Sequence, residues 1–341
     1  MTATMTAVVY TALDAFEVRQ VPVPAPGLGE LLIRVEAAGL CHTDLDILAG
    51  RYAAELPRIP GHEFAGTVVD ADPALRSRIG ERVAIDPLIA CEACRNCLRG
   101  HPNLCTRGQA YGAERDGGFA EYAVVRSDNA FSAGTLDPGV AALAEPFACA
   151  VNALDRANPS PEAKVVIVGA GPMGMILSIA ARGRGIEDLT IADRVPERLE
   201  RASRFGATET VRIAHGLTDS LPERAFDLVI DATGRPEVVQ EAVRLLADAG
   251  TLIPFGVCPP GSELVLDTFE VYRRQLCIVG SFSLNRGILA ALDILRQSVY
   301  PLDELITTRF PLEQGGDALA AVGGSDTVKI QFDPMTRIAT Q

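Results

Sequence analysis

The stretch Lys164-Val-Val-Ile-Val-Gly-Ala-Gly-Pro-Met-Gly174 leaves this chain few architectures to choose from. Val165 to Val168 is a continuous β-branched run, the pattern of a strand buried on both faces. It runs directly into Gly169, Gly171 and Gly174, spaced G-x-G-x-x-G. Met173, Ile176, Leu177, Ile179 and Ala180 then recur at helical intervals. The three glycines serve in turn for a tight turn, for close approach of backbone to a pyrophosphate, and for close packing of helix on strand. The helix begun by Pro172 and Met173 offers unpaired N–H groups to the phosphates. Asp193 ends the run Thr190-Ile191-Ala192-Asp193, 19 residues past Gly174, where a carboxylate can accept from ribose hydroxyls. An ordinary β-turn-α unit that binds nothing would need neither the spacing nor the acid. A dinucleotide site is expected.

With 341 residues the chain is long enough for two domains, each with its own core. Its 48% apolar and 22% charged residues fit a soluble globular protein. No apolar run approaches the ~18 residues of a membrane span, and no secretion signal is expected in residues 1–15. The net charge of −13 argues against nucleic acid or an anionic membrane as partner. Four of the eight cysteines fall within fifteen residues, which is metal spacing rather than disulfide spacing. A reducing cytoplasm is expected.

From Ala7 to about Ala38, short β-like runs alternate with turns at Pro22, Pro24, Pro26, Gly27 and Gly29. Strands continue at Gly66–Val69, Arg82–Ile85 and Glu121–Val125, so the first part reads as an all-β, barrel-like domain. Near Glu145 the pattern changes, and Phe147, Val151 and Leu154 mark a helix. Strands at 164–169, 188–193, 226–231 and 250–255 then alternate with helices at 172–183, 196–204 and 236–247. That alternation means right-handed β-α-β crossovers and a parallel sheet. After Ser281 come a helix, 287–297, and a β-rich tail that returns to the first domain. Domain boundaries are expected at 1–150 with 285–341, and at 151–284.

Cys91-x2-Cys94-x2-Cys97-x7-Cys105 is the most specific local signal. Four thiolates on one loop can close a tetrahedral zinc site with no open position, which makes its role structural. An iron–sulfur cluster also takes four cysteines but ranks below zinc. A second set groups Cys41 with His62 and Glu63, and adds Glu145 as an acidic candidate. One thiolate, one imidazole and one carboxylate suit a catalytic zinc that keeps an exchangeable position, but spacing alone leaves open a buried structural cysteine and a structural turn histidine.

Cys41-His-Thr-Asp44, Gly61-His-Glu63, the four-cysteine loop, Gly117-Gly-Phe-Ala-Glu-Tyr122, Glu145-Pro146 and Gly169-Ala-Gly-Pro-Met-Gly174 occur in one order along the chain. In that order the chain resembles the zinc-dependent medium-chain alcohol and polyol dehydrogenases over essentially its whole length. The resemblance implies an α/β protein: a GroES-like β-barrel catalytic domain split around a Rossmann domain with a doubly wound parallel sheet. It implies two zinc ions per chain and NAD, a small-molecule polyol substrate, and a homodimer or homotetramer. Glu145-Pro146 resembles the sorbitol-type branch, with Cys149 one helical turn on as the competing ligand, read here as a core cysteine. The family positions imply that Thr43 takes the substrate's hydroxyl proton. They place Asp44 behind His62, Glu63 at or just behind the metal, and Arg198 near the adenine; Lys329 reads either as a partner for Glu63 or as a surface strand lysine.

Three departures limit the transfer. Sorbitol-type enzymes carry an aromatic residue where Ile47 stands, and an Arg-aromatic pair where Ser283-Leu284 stands. Threonine-type enzymes carry a histidine at the Asp46 position. Asp46 also replaces a histidine that relays protons in related alcohol dehydrogenases, and a carboxylate with a reference pKa of ~3.9 relays only if burial raises that value. The other reading of Asp46 is a surface residue. The expected function is NAD-dependent oxidation of a secondary hydroxyl of a polyol, cyclitol or sugar alcohol. A threonine-type amino-alcohol dehydrogenase and a catalytically silent zinc- and nucleotide-binding homologue are the alternatives.

Overall fold

In this computed structural model residues 3–324 and 327–337 are described. The chain divides into two units. One comprises Met1–Ala148, Leu284–Gln297 and Leu302–Gln341; the other comprises Cys149–Ser283 and Ser298–Pro301.

The first unit begins with β1 (Thr4–Ala12) and β2 (Ala15–Pro22), an antiparallel hairpin in which Met5 to Tyr10 are buried. β3 (Glu30–Leu40) leads into α1 (His42–Leu48). β4 (Glu63–Ala71) runs antiparallel to β3 with Glu63 opposite Gly39. This strand starts three residues before the expected Gly66, so Glu63 lies on it. β5 (Arg82–Ile85) pairs with β4. The short pair β6 (Leu88–Ile89) and β7 (Gln109–Ala110) brackets α2 (Arg95–Leu98) and the cysteine loop. β8 (Tyr122–Arg126) pairs with β3, and β9 (Ala130–Ser132) with β5. α3 (Pro138–Ala142) and α4 (Ala144–Ala157) follow.

The second unit is built on β10 (Val165–Val168), whose four residues are all buried. It continues through α5 (Pro172–Gly183), β11 (Leu189–Asp193), α6 (Pro196–Ala202), β12 (Glu209–Arg212), β13 (Phe226–Asp231), α7 (Pro236–Leu245), β14 (Leu246–Pro254), α8 (Thr268–Arg274) and β15 (Cys277–Ile278). The sheet order is β12-β11-β10-β13-β14-β15 and every pairing is parallel. Order reverses at β10, the switch point where doubly wound sheets bind ligands.

Some elements differ from the sequence expectation, each for a local reason. β12, Glu-Thr-Val-Arg, is an edge strand with mostly exposed side chains and lacks the apolar run that announces a strand. α7 stops at Leu245 rather than 247 because the buried Leu246 already begins β14, paired with Phe226 of β13. The helix expected at 287–297 is α9 (Ile288–Gln297), and the β-rich tail beyond it holds an unexpected α10 (Gly315–Ala321) besides β16 (Ile306–Phe310) and β17 (Lys329–Phe332). β17 runs antiparallel to β3, with Ile330 opposite Leu40. The tail therefore completes the sheet that the first 130 residues begin, and Phe332 packs edge-on against Phe119 at 4.8 Å.

Asp86, just past β5, carries a testable consequence. It is buried, and its Oδ1 accepts from Leu88 N at 2.9 Å. Burial pushes its carboxyl up to about 6, against the pull of the Leu88 N–H and the Arg286 charge. The folded chain then holds a proton that the unfolded chain has lost, so stability falls as pH rises between about 4 and about 6. Asp86→Asn is expected to be more stable than the parent near neutral pH by up to about 3 kcal/mol, with the gap closing below about pH 4. Urea titrations across that range read it. A gap independent of pH would contradict it.

Candidate active site and metal centres

Register alone explains why distant residues meet. Gly39 faces Glu63 across β3 and β4, and Leu40 faces Ile330 across β3 and β17. Cys41 leaves the end of β3, His62 precedes β4, and Lys329 begins β17. These residues and Glu63 thus lie at one end of three adjacent strands. The Cys41 Sγ, a His62 ring nitrogen and a Glu63 carboxylate oxygen lie within 4.8 Å of one another. Gly39 makes room: a Cβ there would stand 2.2 Å from Glu63 Oε2.

The His62 turn is clamped from behind. Gly117 N, Gly118 N and Phe119 N donate to Ile59 O, Gly61 O and Pro60 O at 2.8, 2.8 and 3.0 Å. Gly61 takes φ +94°, and a Cβ on it would meet the Phe119 ring at 2.3 Å. This is the structural use of Gly117-Gly-Phe-Ala-Glu-Tyr122.

Asp44 is fully buried in the first turn of α1. Its Oδ2 accepts from Cys41 N at 2.8 Å, and its Oδ1 lies 3.3 Å from His62 Nδ1. That contact leaves His62 Nε2 for another partner. Burial disfavours a charged imidazole, but the Asp44 carboxylate, assisted by Cys41, outweighs it and raises the His62 pKa well above the ordinary range. Thr43 Oγ1 sits 3.7 Å from Cys41 Sγ.

Lys329 is not a surface lysine. It is 4% exposed, its Nζ lies 2.6 and 2.5 Å from the two Glu63 oxygens, and it donates to Leu40 O at 3.3 Å. Burial by itself would lower its pKa; Glu63, Cys41 and Glu145 reverse that and raise it. Glu145 is buried in the first turn of α4. Cys149 is partly exposed, so the expected core cysteine is only half in the core, although its neighbours Phe147, Ala148 and Val151 are buried. Asp46 is paired with Arg51 at 2.7 Å and its side chain is 39% exposed. Ile47 packs into the barrel core.

Cys91, Cys94, Cys97 and Cys105 also bring their sulfurs within 4.8 Å. Cys94 Sγ lies 3.5 Å from Cys97 Sγ and 3.9 Å from Cys105 Sγ. A tetrahedron of thiolates at about 2.3 Å from zinc has edges of about 3.8 Å, so the donor spacing fits that ion. N–H groups of Cys94 and Arg107 point at Cys91 Sγ and Cys105 Sγ from 3.3 and 3.4 Å. Backbone donors from Cys97 and Thr106 hold the Cys94 thiol below its usual range, and that of Ala93 does the same for Cys91. These donors favour the Cys91 and Cys94 thiolates before any metal arrives, whereas burial, with the neighbouring Cys94 and Cys105 sulfurs, pushes the Cys97 thiol up to about 12. Among the described residues no two cysteines form a disulfide.

In the second unit the glycine turn has the geometry a pyrophosphate needs. Gly169 takes φ +110°, and a Cβ on Gly174 would stand 1.8 Å from Gly169 O. Around a Cβ on Gly171 there is open space, the side from which a phosphate approaches. Gly171 caps α5, with Pro172 in its first turn and Met173 following. Asp193 ends β11; its Oδ2 accepts from Ala170 N at 2.7 Å and its Oδ1 from Val195 N at 2.8 Å. The carboxylate is thereby fixed beside the turn. Arg198 lies on α6 and is partly buried, while Arg194 is exposed.

A barrel with one closed and one open donor set, and a parallel sheet with a dinucleotide turn, define a metal-dependent oxidoreductase. Comparison narrows the class. Residues 27–135 match the alcohol dehydrogenase GroES-like domain, and residues 172–296 match the zinc-binding dehydrogenase domain. A D-altritol 5-dehydrogenase of Agrobacterium fabrum is 41% identical over 301 residues, covering 86% of this chain and 89% of that one. A Sinorhizobium meliloti 1021 protein assigned to the zinc-binding dehydrogenases, solved with NADP, superposes with TM-score 0.92 at 33% identity over 97% of this chain and all of that one. An Escherichia coli CFT073 alcohol dehydrogenase, RspB, solved with NADH, gives TM-score 0.90 at 29% identity over 97% and 99%. The chain belongs to the zinc-dependent medium-chain alcohol and polyol dehydrogenase family.

The buried ion pair yields a prediction. Removing one partner leaves an uncompensated buried charge, so Lys329→Met should cost about 3–5 kcal/mol in unfolding free energy. Adding Glu63→Gln should recover a large part of that loss. Strictly additive losses in the double variant would contradict the pairing.

Proposed function

We propose that the chain oxidises a secondary hydroxyl of a polyol, cyclitol or sugar alcohol to a ketone, using zinc and NAD. The observation that carries this is the convergence of Cys41, His62 and Glu63 beside Thr43 at the ends of β3 and β4. The 41% identity to a D-altritol 5-dehydrogenase supports the polyol class. Residues 1–150 with 285–341 would form the catalytic domain, and 151–284 the nucleotide domain.

When bound, zinc supplies a Lewis acid for the substrate hydroxyl and the nicotinamide supplies the hydride acceptor. Cys41 and His62 hold the metal, with the carboxylate of Glu63 or Glu145 as the third donor. Asp44, with Oδ1 3.3 Å from Nδ1, orients the His62 ring. Lys329 neutralises Glu63 and so sets how much negative charge the donor set presents. Thr43 takes the hydroxyl proton. Cys91, Cys94, Cys97 and Cys105 hold the structural zinc. Gly169, Gly171, Pro172, Met173 and Gly174 seat the pyrophosphate; Asp193 accepts from the adenosine ribose and Arg198 lies by the adenine. The amino-alcohol alternative lacks its histidine at position 46, and the intact Cys41, Thr43, His62 and Asp193 speak against a silent homologue.

No helix among the described residues is long and apolar enough to cross a membrane. We place the protein in the cytoplasm, where thiolates remain available for metal, and as a homodimer or homotetramer.

A panel of polyols assayed for reduction of NAD and of NADP tests the reading. Turnover of a sugar alcohol with NAD favoured is expected, because Asp193 repels a ribose phosphate. Equal or better kinetics with NADP would overturn the cofactor assignment, and turnover of threonine alone would overturn the substrate class. Cys41→Ser should abolish turnover with the melting temperature little changed, whereas Cys97→Ser should mainly lower it. The Arg51 pair supports a surface role for Asp46; Asp46→Asn should then leave the pH–rate profile in place. A shifted profile with unchanged zinc would reinstate it as a proton relay.

A further inference from the structure

Asp231, the last residue of β13, is fully buried, and two residues of the loop that follows supply its donors. Its Oδ1 accepts from Thr233 N at 3.1 Å and from Thr233 Oγ1 at 2.6 Å; its Oδ2 accepts from Gly234 N at 3.1 Å. Its own carbonyl accepts from Phe255 N at 2.9 Å and Gly256 N at 2.7 Å, just beyond β14. One residue therefore ties the loop after β13 to the segment after β14. The two strips of backbone touch: a Cβ on Gly256 would stand 2.1 Å from Gly234 N, and one on Gly234 would stand 2.6 Å from Val257 O. Thr233 also packs on the glycine turn, with its Cγ2 3.1 Å from where a Gly169 Cβ would be.

A buried carboxylate is a costly way to hold a turn, since burying charge without full compensation is unfavourable. The position explains the choice. In the sheet, β11 with Asp193 lies on one side of β10, and β13 and β14 lie on the other. A dinucleotide with its pyrophosphate at the turn after β10 and its adenosine ribose at Asp193 must lay its other half across the ends of β13 and β14. Those ends are where Asp231 holds residues 232–234 against 255–257.

Resting on the dinucleotide reading above, we propose that Asp231 is a positioning residue for the nicotinamide half of the cofactor, acting through the crossed loops at Thr233–Gly234 and Phe255–Val257. Asn at this position would turn one acceptor oxygen into a donor that faces the loop's own donors. The adenosine half, seated by Asp193 and the glycine turn, does not depend on those bonds.

The test compares NADH with ADP-ribose, which lacks the nicotinamide, as ligands of the zinc-loaded wild type, Asp231→Asn and Thr233→Val. In Asp231→Asn, NADH binding is expected to weaken by about tenfold or more while ADP-ribose binding stays within about threefold. Thr233→Val, which removes only the Oγ1 donor, should show the same selective pattern at smaller size. It decides the matter if Asp231→Asn does not fold. Equal weakening of both ligands, or no weakening of either, overturns the proposal. A wild type that binds neither ligand overturns the dinucleotide reading itself, and the proposal with it.

Discussion

The buried ion pair between Lys329 and Glu63 is the interaction on which the first unit's chemistry depends. The two residues are 266 apart in sequence, and the pair forms only once β17 has found β3. Neither charge is tolerable alone in an interior, so the pair ties completion of the sheet to completion of the donor set beside it. Cys41 and His62 gain their places from the same three strand ends. The Glu63 carboxylate is thus held by the fold before any metal is bound, with Gly39 leaving it the space.

A second layer of positioning surrounds these groups. Asp44 links Cys41's backbone to His62's ring, and the 117–119 segment pins the turn that carries His62. In the other unit Asp193 and Asp231 play a comparable part, each using both carboxylate oxygens on loop donors. In each case a buried or half-buried acid converts a flexible loop into a fixed surface, the kind of preorganisation that oriented reactions require.

Much of this is legible in the sequence because it is local. The Val165–Val168 run, the glycine spacing and the four-cysteine loop each state their geometry within a dozen or so residues. The Cys41–His62 grouping needs the family resemblance, since residues twenty-one apart meet only through β3–β4 register. Lys329 reads equally as a surface strand residue and as a partner for Glu63, because nothing local distinguishes a lysine that begins a buried strand. β12 escapes a sequence reading because an exposed edge strand of Glu-Thr-Val-Arg carries no apolar period. Asp231 escapes too: its meaning lies in two loops that β13 and β14 bring together. The half-exposed Cys149 shows the limit of reading burial from apolar neighbours.

One chain is expected to hold a closed four-thiolate zinc and an open zinc on Cys41 and His62. Zinc quantitation with X-ray absorption at the zinc edge tests it most directly. Two zinc ions per chain are expected, with a ligand shell that averages a pure sulfur site and a mixed sulfur, nitrogen and oxygen site. A single zinc per chain with a shell of sulfur alone would contradict it.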